Sequence, residues 1–209
     1  MKHHFLGALL LLACNLSFAE SVRDKSIAAA KTGDAAMFEQ LISTQPGEID
    51  KHVATYACEE GHVDILELID LYDQKINPAS CALAATRGNH ENAVHWLYKK
   101  FGDKILGVGG DILVNRMVEN TNLVLLNWFN LHFGLEDSRS ESALVLAAKN
   151  DKGPNYAVFR WLLDHRFPLP LVTGGANAIR ESRELMNILN SYSSKEPYRK
   201  ELPRFKTGR

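Results

Sequence analysis

The stretch Ala54–Ile69, ATYACEEGHVDILELI, determines how this chain folds, because its pattern recurs along the sequence. Ala57 and Cys58 are small residues near the end of a predicted first helix, where a neighbouring helix can approach closely. Gly61 is predicted to end that helix, since glycine adopts the left-handed conformation without steric cost. Residues 63–69 then provide the broad apolar face of a second helix. One such hairpin cannot bury this face alone, so the pattern predicts copies beside it.

The pattern returns in four further segments of the sequence. Its turn positions are Gly33, Gly61, Gly88, Thr121 and Asp151, at intervals of about 28, 27, 33 and 30 residues. Each second helix places two apolar pairs three residues apart, as expected for one helical face. A period of this length is typical of a solenoid of stacked helical units. The tryptophans of the last three second helices recur at equivalent places, which predicts packing between units.

These units resemble ankyrin repeats, whose hallmark is an AAxxGH turn followed by a second helix of the EIVxLLL kind. The hallmark stands as YACEEGHVDILELI at Tyr56–Ile69, LAATRGNHENAVHWL at Leu83–Leu97 and AAAKTGDAAMFEQLI at Ala28–Ile42. The resemblance covers residues 26–167, although the TPLH stretch of the family is absent. The first intervals are shorter than the usual 33 residues, which should remove most of the β-hairpin finger between units. The resemblance therefore implies an all-α, ankyrin-like solenoid of about five stacked helix pairs.

The C-terminal part of the sequence departs from the repeat. Residues 168–192 begin with prolines and glycines and are predicted to cap the stack, with Asn177–Tyr192 as one amphipathic helix. Residues 193–209 are polar and basic, which predicts a flexible tail. The whole chain has a net charge of only -1, so it offers no broad attraction for nucleic acid or for an anionic membrane.

The first 19 residues are predicted to be a signal peptide. A short basic start precedes the apolar run Phe5–Ala13, and Ser17 and Ala19 are the small residues that a signal peptidase reads. The run is too short to span a bilayer. A second route competes with this one, because Leu11-Leu12-Ala13-Cys14 resembles a bacterial lipobox with Cys14 as the lipidated residue. The sequence thus predicts an exported protein that is periplasmic or secreted, or alternatively a membrane-anchored lipoprotein.

The cysteines and histidines do not form a recognisable chemical site in the sequence. Cys58 and Cys81 occupy non-equivalent positions about one helical turn apart, which favours two buried small side chains over a direct disulfide. His62 and His90 stand near the starts of second helices, where capping or turn hydrogen bonds explain them. No CxxC pair, Cys/His cluster or catalytic motif is present. We therefore predict no metal, no cofactor and no enzymatic activity.

The two residues before each turn position are polar in every unit, although their neighbours are apolar. In ankyrin-like proteins these positions lie on the concave side and vary with the partner, so the resemblance implies that they bind a protein. An ordinary solvated face predicts the same polarity. The mixed signs of charge argue against nucleic acid as the ligand. The candidate partner-binding residues are Lys31, Thr32, Glu59, Glu60, Thr86, Arg87, Glu119, Asn120, Lys149 and Asn150.

Three classes of function therefore remain open. The first is an exported, non-enzymatic interaction module that binds a partner protein through the concave face. The second is an enzyme or small-ligand-binding protein whose pocket lies at the glycine-rich segment Gly107–Asp111, although this segment joins two helical units as a plain turn would. The third is a structural or self-associating envelope protein.

Overall fold

The computed structural model of the protein describes residues 21–150, 153–170 and 176–207, and these residues form helices and turns without a β-strand. The predicted all-α class is therefore confirmed. The α-helices are α1 (Val22–Thr32), α2 (Ala35–Thr44), α3 (Val53–Glu60), α4 (Val63–Leu71), α5 (Pro78–Gly88), α6 (Glu91–Phe101), α7 (Gly110–Glu119), α8 (Leu123–Phe133), α9 (Glu141–Ala148), α10 (Tyr156–Asp164), α11 (Ala176–Glu181), α12 (Arg183–Ser191) and α13 (Tyr198–Thr207). The signal segment 1–19 with Cys14, and the turn position Asp151, lie outside the described residues.

Successive helices form six pairs, from α1/α2 to α11/α12, whose two members are close in sequence and pack against each other. The first helices of neighbouring pairs also pack together, in the order α1, α3, α5, α7, α9 and α11. Second helices of neighbouring pairs pack together in three places, α2 with α4, α4 with α6, and α10 with α12. Each pair therefore buries its apolar surface mainly against its neighbours along the chain. None of the helices in the described ranges has the length and apolar character needed to cross a membrane.

The sixth pair corrects the prediction of five pairs followed by one capping helix. Residues 177–192 are divided at Ser182, whose hydroxyl accepts a hydrogen bond from the Leu185 N–H at 3.3 Å and caps α12. Helix α11 packs on α9 and α12 packs on α10, as in the earlier pairs. The serine cap therefore starts a new helix where apolar periodicity alone suggested a continuous one.

The first helices end as the sequence indicates, with one shift. Gly33 and Gly61 have left-handed φ angles of 74° and 77° and end α1 and α3. In the third pair the left-handed residue is Asn89, with φ 64°, and Gly88 remains inside α5. Thr121 takes the equivalent position of the fourth pair, with φ 59°. The turn geometry is thus maintained even where glycine is absent.

The core follows the repeated pattern. The small pairs of the first helices are buried, which lets these helices approach one another, and the inward apolar residues of the second helices cover them. The buried small pairs are Ala29 and Ala30, Ala57 and Cys58, Ala84 and Ala85, and Ala147 and Ala148. The three tryptophans are half-buried. Trp128 contacts Tyr98 of the preceding pair at a ring distance of 5.3 Å, so at least this tryptophan packs between pairs as predicted.

Cys58 and Cys81 are both free and fully buried, on the adjacent helices α3 and α5. Burial raises the pKa of the Cys58 thiol, and the neighbouring Cys81 adds to this effect. Both residues therefore occupy the core as small neutral side chains, as the sequence predicted.

The predicted flexible tail is wrong for most of its length. Residues 198–207 form α13, in which Tyr198 (1% exposed), Leu202 and Phe205 are buried. The Tyr198 hydroxyl lies 3.0 Å from the Leu163 carbonyl oxygen and 2.9 Å from that of Phe167, so it donates to the last turn of the fifth pair and the loop after it. The three apolar side chains are spaced four and three residues apart, and tertiary contact turns this weak pattern into a packed helix.

Candidate functional site

The ten predicted binding residues, hereafter the turn row, lie at the ends of the first helices and the turns that follow them. Contacts between neighbouring pairs show that several of these positions adjoin. The Glu59 carboxylate and the Arg87 guanidinium form an ion pair at 2.9 Å, and the Lys31 ammonium lies 4.7 Å from the ring centre of Tyr56. The structure therefore brings these residues together along one edge of the helix pairs.

Thr86 is not available to a partner. Its side chain is 1% exposed, and its hydroxyl donates to the Ala82 carbonyl at 2.6 Å within α5. A buried hydroxyl needs such a bond because its desolvation is otherwise uncompensated. The prediction of Thr86 as a binding residue is thus corrected, since sequence spacing gave its position but not the direction of its side chain.

Two asparagines of the turn row hold neighbouring pairs together. The Asn120 amide donates to the Thr86 carbonyl at 2.6 Å, and the Asn150 amide donates to the Glu119 carbonyl at 2.8 Å. These acceptors lie in the last turns of α5 and α7, where carbonyls have no partner within their own helix. Asn120 and Asn150 therefore have a structural role that is sufficient to explain their polarity.

The same role is performed by other side chains in the earlier pairs. His62 Nε2 lies 3.2 Å from the Lys31 carbonyl, and the Asn92 amide donates to the Gly61 carbonyl at 3.0 Å. We call these four bonds, from His62, Asn92, Asn120 and Asn150, the turn ladder. Asn92 was not singled out from the sequence, because it lies within the second helix of its pair, four residues after Gly88.

The side chains of His62 and His90 do not cap the helices that follow them, so of the two predicted roles only the turn hydrogen bond is seen, in His62. Each ring packs over the turn glycine of the preceding pair. A Cβ atom on Gly33 would lie 2.6 Å from the His62 ring, and a Cβ atom on Gly61 would lie 2.5 Å from the His90 ring. The glycines are therefore required both for the left-handed turn and for the space that the next histidine fills.

Some of the remaining polar side chains of the turn row form ion pairs or hydrogen bonds within the chain, and others do not. Glu119 pairs with Arg116 of its own helix at 2.5 Å, and the Thr32 hydroxyl donates to the Ala28 carbonyl at 3.0 Å. Glu60 and Lys149 are exposed and have no ion pair within the part of the chain that the structure describes. These two charges are the ones most available to a partner.

A groove lies at the C-terminal half of the turn row. It has a volume of about 330 Å³ and is lined by Glu119, Asn120, Leu146, Lys149 and Asn150. Leu146 is half-buried and gives this polar groove an apolar wall. Leu146 is not among the predicted binding residues, because these were chosen as the two positions before each turn. Such a groove can accept a side chain or a short stretch of extended backbone.

The glycine-rich segment considered for a pocket is filled. Residues 102–108 form a 3-10 helix that packs against α5, α6 and α7, with Ile105 buried. A Cβ atom on Gly110 would overlap the Ser138 hydroxyl, which shows how closely the chain approaches there. The expected plain turn is therefore corrected to a packed element, and no room for a ligand is seen around Ile105.

The described residues contain no cluster of three or more His, Cys, Asp or Glu side chains that could hold a metal ion. His132 and His165 each place Nδ1 within 2.8 Å of the tryptophan carbonyl four residues earlier, so these rings are used within their own helices.

Comparison of the chain with protein-family models, with curated proteins and with solved structures found no match.

Proposed function

We propose that this chain is an exported, non-enzymatic interaction protein with an ankyrin-like solenoid, which binds a partner protein through the turn row. The repeated pair of helices, with left-handed turns at equivalent places, supports the ankyrin-like assignment. The observation that carries the binding role is the set of exposed charges at the turns of pairs one, two, three and five: Lys31, Glu60, Arg87 and Lys149.

The geometry reduces the predicted interface to fewer residues. Thr86, Asn120 and Asn150 are engaged in bonds within the fold, so their side chains are assigned to stability. Glu60 and Lys149 have opposite charges and lie at the ends of α3 and α9, three pairs apart. A partner that spans both would therefore need a basic and an acidic region on one surface, which gives orientation as well as attraction.

The proposal can be tested with a charge exchange. Glu59→Arg combined with Arg87→Glu retains the ion pair between α3 and α5 but inverts the charges that a partner meets. Using purified tagged protein as bait in an extract of the native host, we expect the specific partner to be lost from the exchanged protein and from Glu60→Lys with Lys149→Glu.

The matched control is Lys104→Glu with Asp137→Lys, two exposed charges outside the turn row. A partner captured equally by all variants would contradict the proposed interface, and thermal melting would show that each variant is folded. Export is tested separately by mass spectrometry of the mature N-terminus, where a free Glu20 or a lipidated Cys14 is expected.

A further inference from the structure

A second groove lies on the other helices of the pairs, between α2 and α4. It has a volume of about 450 Å³, and its apolar lining consists of Ala35, Ala36, Leu68 and Leu71. Glu67 and Leu71 also line an adjoining cavity of about 490 Å³ that extends to Trp96 on α6. We call this continuous depression across the three second helices the outer groove.

The apolar part of the outer groove is open to water. Leu71 is 71% exposed, and Leu68 beside it is half-buried. Ala35 and Ala36 are short, so the first turn of α2 leaves space next to these leucines. An isolated exposed leucine is unremarkable on a protein surface. Here, however, two leucines and two alanines line a single depression that an apolar side chain could fill.

The rim of the outer groove is acidic along α2 and α4, whereas its α6 end carries the basic side chains of Lys99 and Lys100. Glu39 on α2 and Asp64 and Glu67 on α4 are exposed, and none of them has an ion pair within the described ranges. Other acidic groups in the early pairs form ion pairs with a neighbouring pair, such as Asp70 with Lys100 at 2.6 Å. Along α2 and α4 the rim therefore combines three uncompensated negative charges with an apolar floor.

We propose that the outer groove docks a basic amphipathic helix of a partner protein. An apolar side chain of that helix would cover Leu71, and lysines or arginines one turn away would pair with Glu39 and Glu67. Negative charge on the rim repels nucleic acid and anionic lipid, so a protein segment is the matching occupant. This surface is separate from the turn row, and the proposal does not depend on the function assigned to it.

The probe is a synthetic helical peptide of about 15 leucine and lysine residues, with a fluorescent label, and its counterpart with glutamate in place of lysine. Fluorescence anisotropy with the full chain measures the affinity of each. We expect the lysine peptide to bind at least about tenfold more tightly than the glutamate peptide, because only its charges complement the rim.

Two variants locate the binding. Glu39→Lys with Glu67→Lys should weaken binding of the lysine peptide by about tenfold or more. Glu181→Lys with Asp137→Lys alters the net charge equally at exposed positions outside both surfaces, and it should change the binding by less than about twofold. Leu71→Ser should weaken it by about fivefold, while Leu131→Ser, at an 81% exposed leucine on α8, should not. The two charged positions of the groove variant and the two of its control are all exposed. We therefore expect these variants to keep the fold.

If the two charge variants weakened binding of the lysine peptide equally, net charge alone would explain the binding and the proposal would be overturned. Equal binding of the two peptides would do the same. Sedimentation of the unmodified chain and of Leu71→Ser tests a second copy as the occupant. A dimer that Leu71→Ser dissociates, together with no peptide binding, would replace the partner helix by another molecule of this chain.

Discussion

Gly88 shows how a single residue controls the distance between two pairs. It lies inside α5, where alanine would ordinarily be preferred over glycine. A Cβ atom at this position would overlap the backbone carbonyl oxygen of Glu59 in the preceding pair. Glycine is therefore required here by the close approach of α3 and α5, whereas Gly61 is required by its left-handed φ of 77°.

Gly88→Ala should destabilise the fold by about 1–3 kcal/mol, because backbone atoms must move apart to admit the methyl group. The sign of the change in the free energy of unfolding is diagnostic, because replacing glycine by alanine at an open helical site stabilises the protein. Urea unfolding followed by circular dichroism gives the free energy of unfolding. Gly47→Ala is the matched control, because nothing lies within 4 Å of a Cβ atom there. A stable Gly88→Ala protein would contradict the close contact.

Hydrogen bonds to carbonyls also identify one donor nitrogen in each of three histidine rings. A carbonyl oxygen only accepts, so the facing nitrogen must donate: Nε2 in His62, and Nδ1 in His132 and His165. Sequence spacing located these histidines but could not indicate these bonds, which depend on side-chain direction.

At the scale of the helix, α13 is the element that the sequence did not predict. Its apolar residues are few, and Pro203 lies within it, so composition pointed to a flexible chain. Burial of Tyr198, Leu202 and Phe205 against the preceding pairs supplies the stability that local propensity lacks. Arg180 of α11 adds a hydrogen bond from Nε to the Phe205 carbonyl at 2.8 Å.

Phe205→Ala should lower the free energy of unfolding by about 3–5 kcal/mol, because a fully buried aromatic side chain is lost. Lys206→Ala, at the exposed neighbouring position, should change it by less than about 0.5 kcal/mol. Thermal and urea unfolding of both variants are the measurements. If Phe205→Ala unfolded like the unmodified chain, residues 198–207 would be a mobile tail after all.

Helix pairs one to five could be predicted because small residues, turn residues and apolar pairs recur in register. The sixth pair could not, since its helices are joined by Ser182 alone and no glycine marks the turn. The positions of the turn row were also predictable from spacing. The burial of Thr86 and the bonds of Asn120 were not, because both depend on how closely neighbouring pairs approach.

At the scale of the whole molecule, the two ends respond to opposite extremes of pH. Burial alone would raise the pKa of Asp50, but hydrogen bonds from the His52 N–H and the Arg23 guanidinium outweigh it and hold the pKa below its ordinary value of 3.8. Asp50 therefore contributes stability above that value, which is lost as the pH falls further.

Burial and a hydrogen bond to Asp164 raise the pKa of Tyr192 to about 12. Its contribution is complete below about pH 10 and is lost as the pH rises through 12.

Melting temperatures at about pH 5 and pH 3 test the contribution of Asp50, and those at about pH 8 and pH 11 test the contribution of Tyr192. The melting temperature of Asp50→Asn should fall less at acid pH than that of the unmodified chain. The melting temperature of Tyr192→Phe should fall less at alkaline pH. Each variant is the control for the other, because its response at the opposite extreme should be unchanged. A uniform response of both variants would assign the pH dependence to the net charge of the chain.

The turn ladder gives the molecule a direction. In all four bonds the donor side chain belongs to the later pair and the acceptor carbonyl to the earlier one. Each of these pairs therefore leaves a carbonyl oxygen at the end of its first helix that a side chain of the next pair occupies. A chain shortened from its C-terminal end would expose that acceptor to water at its last turn.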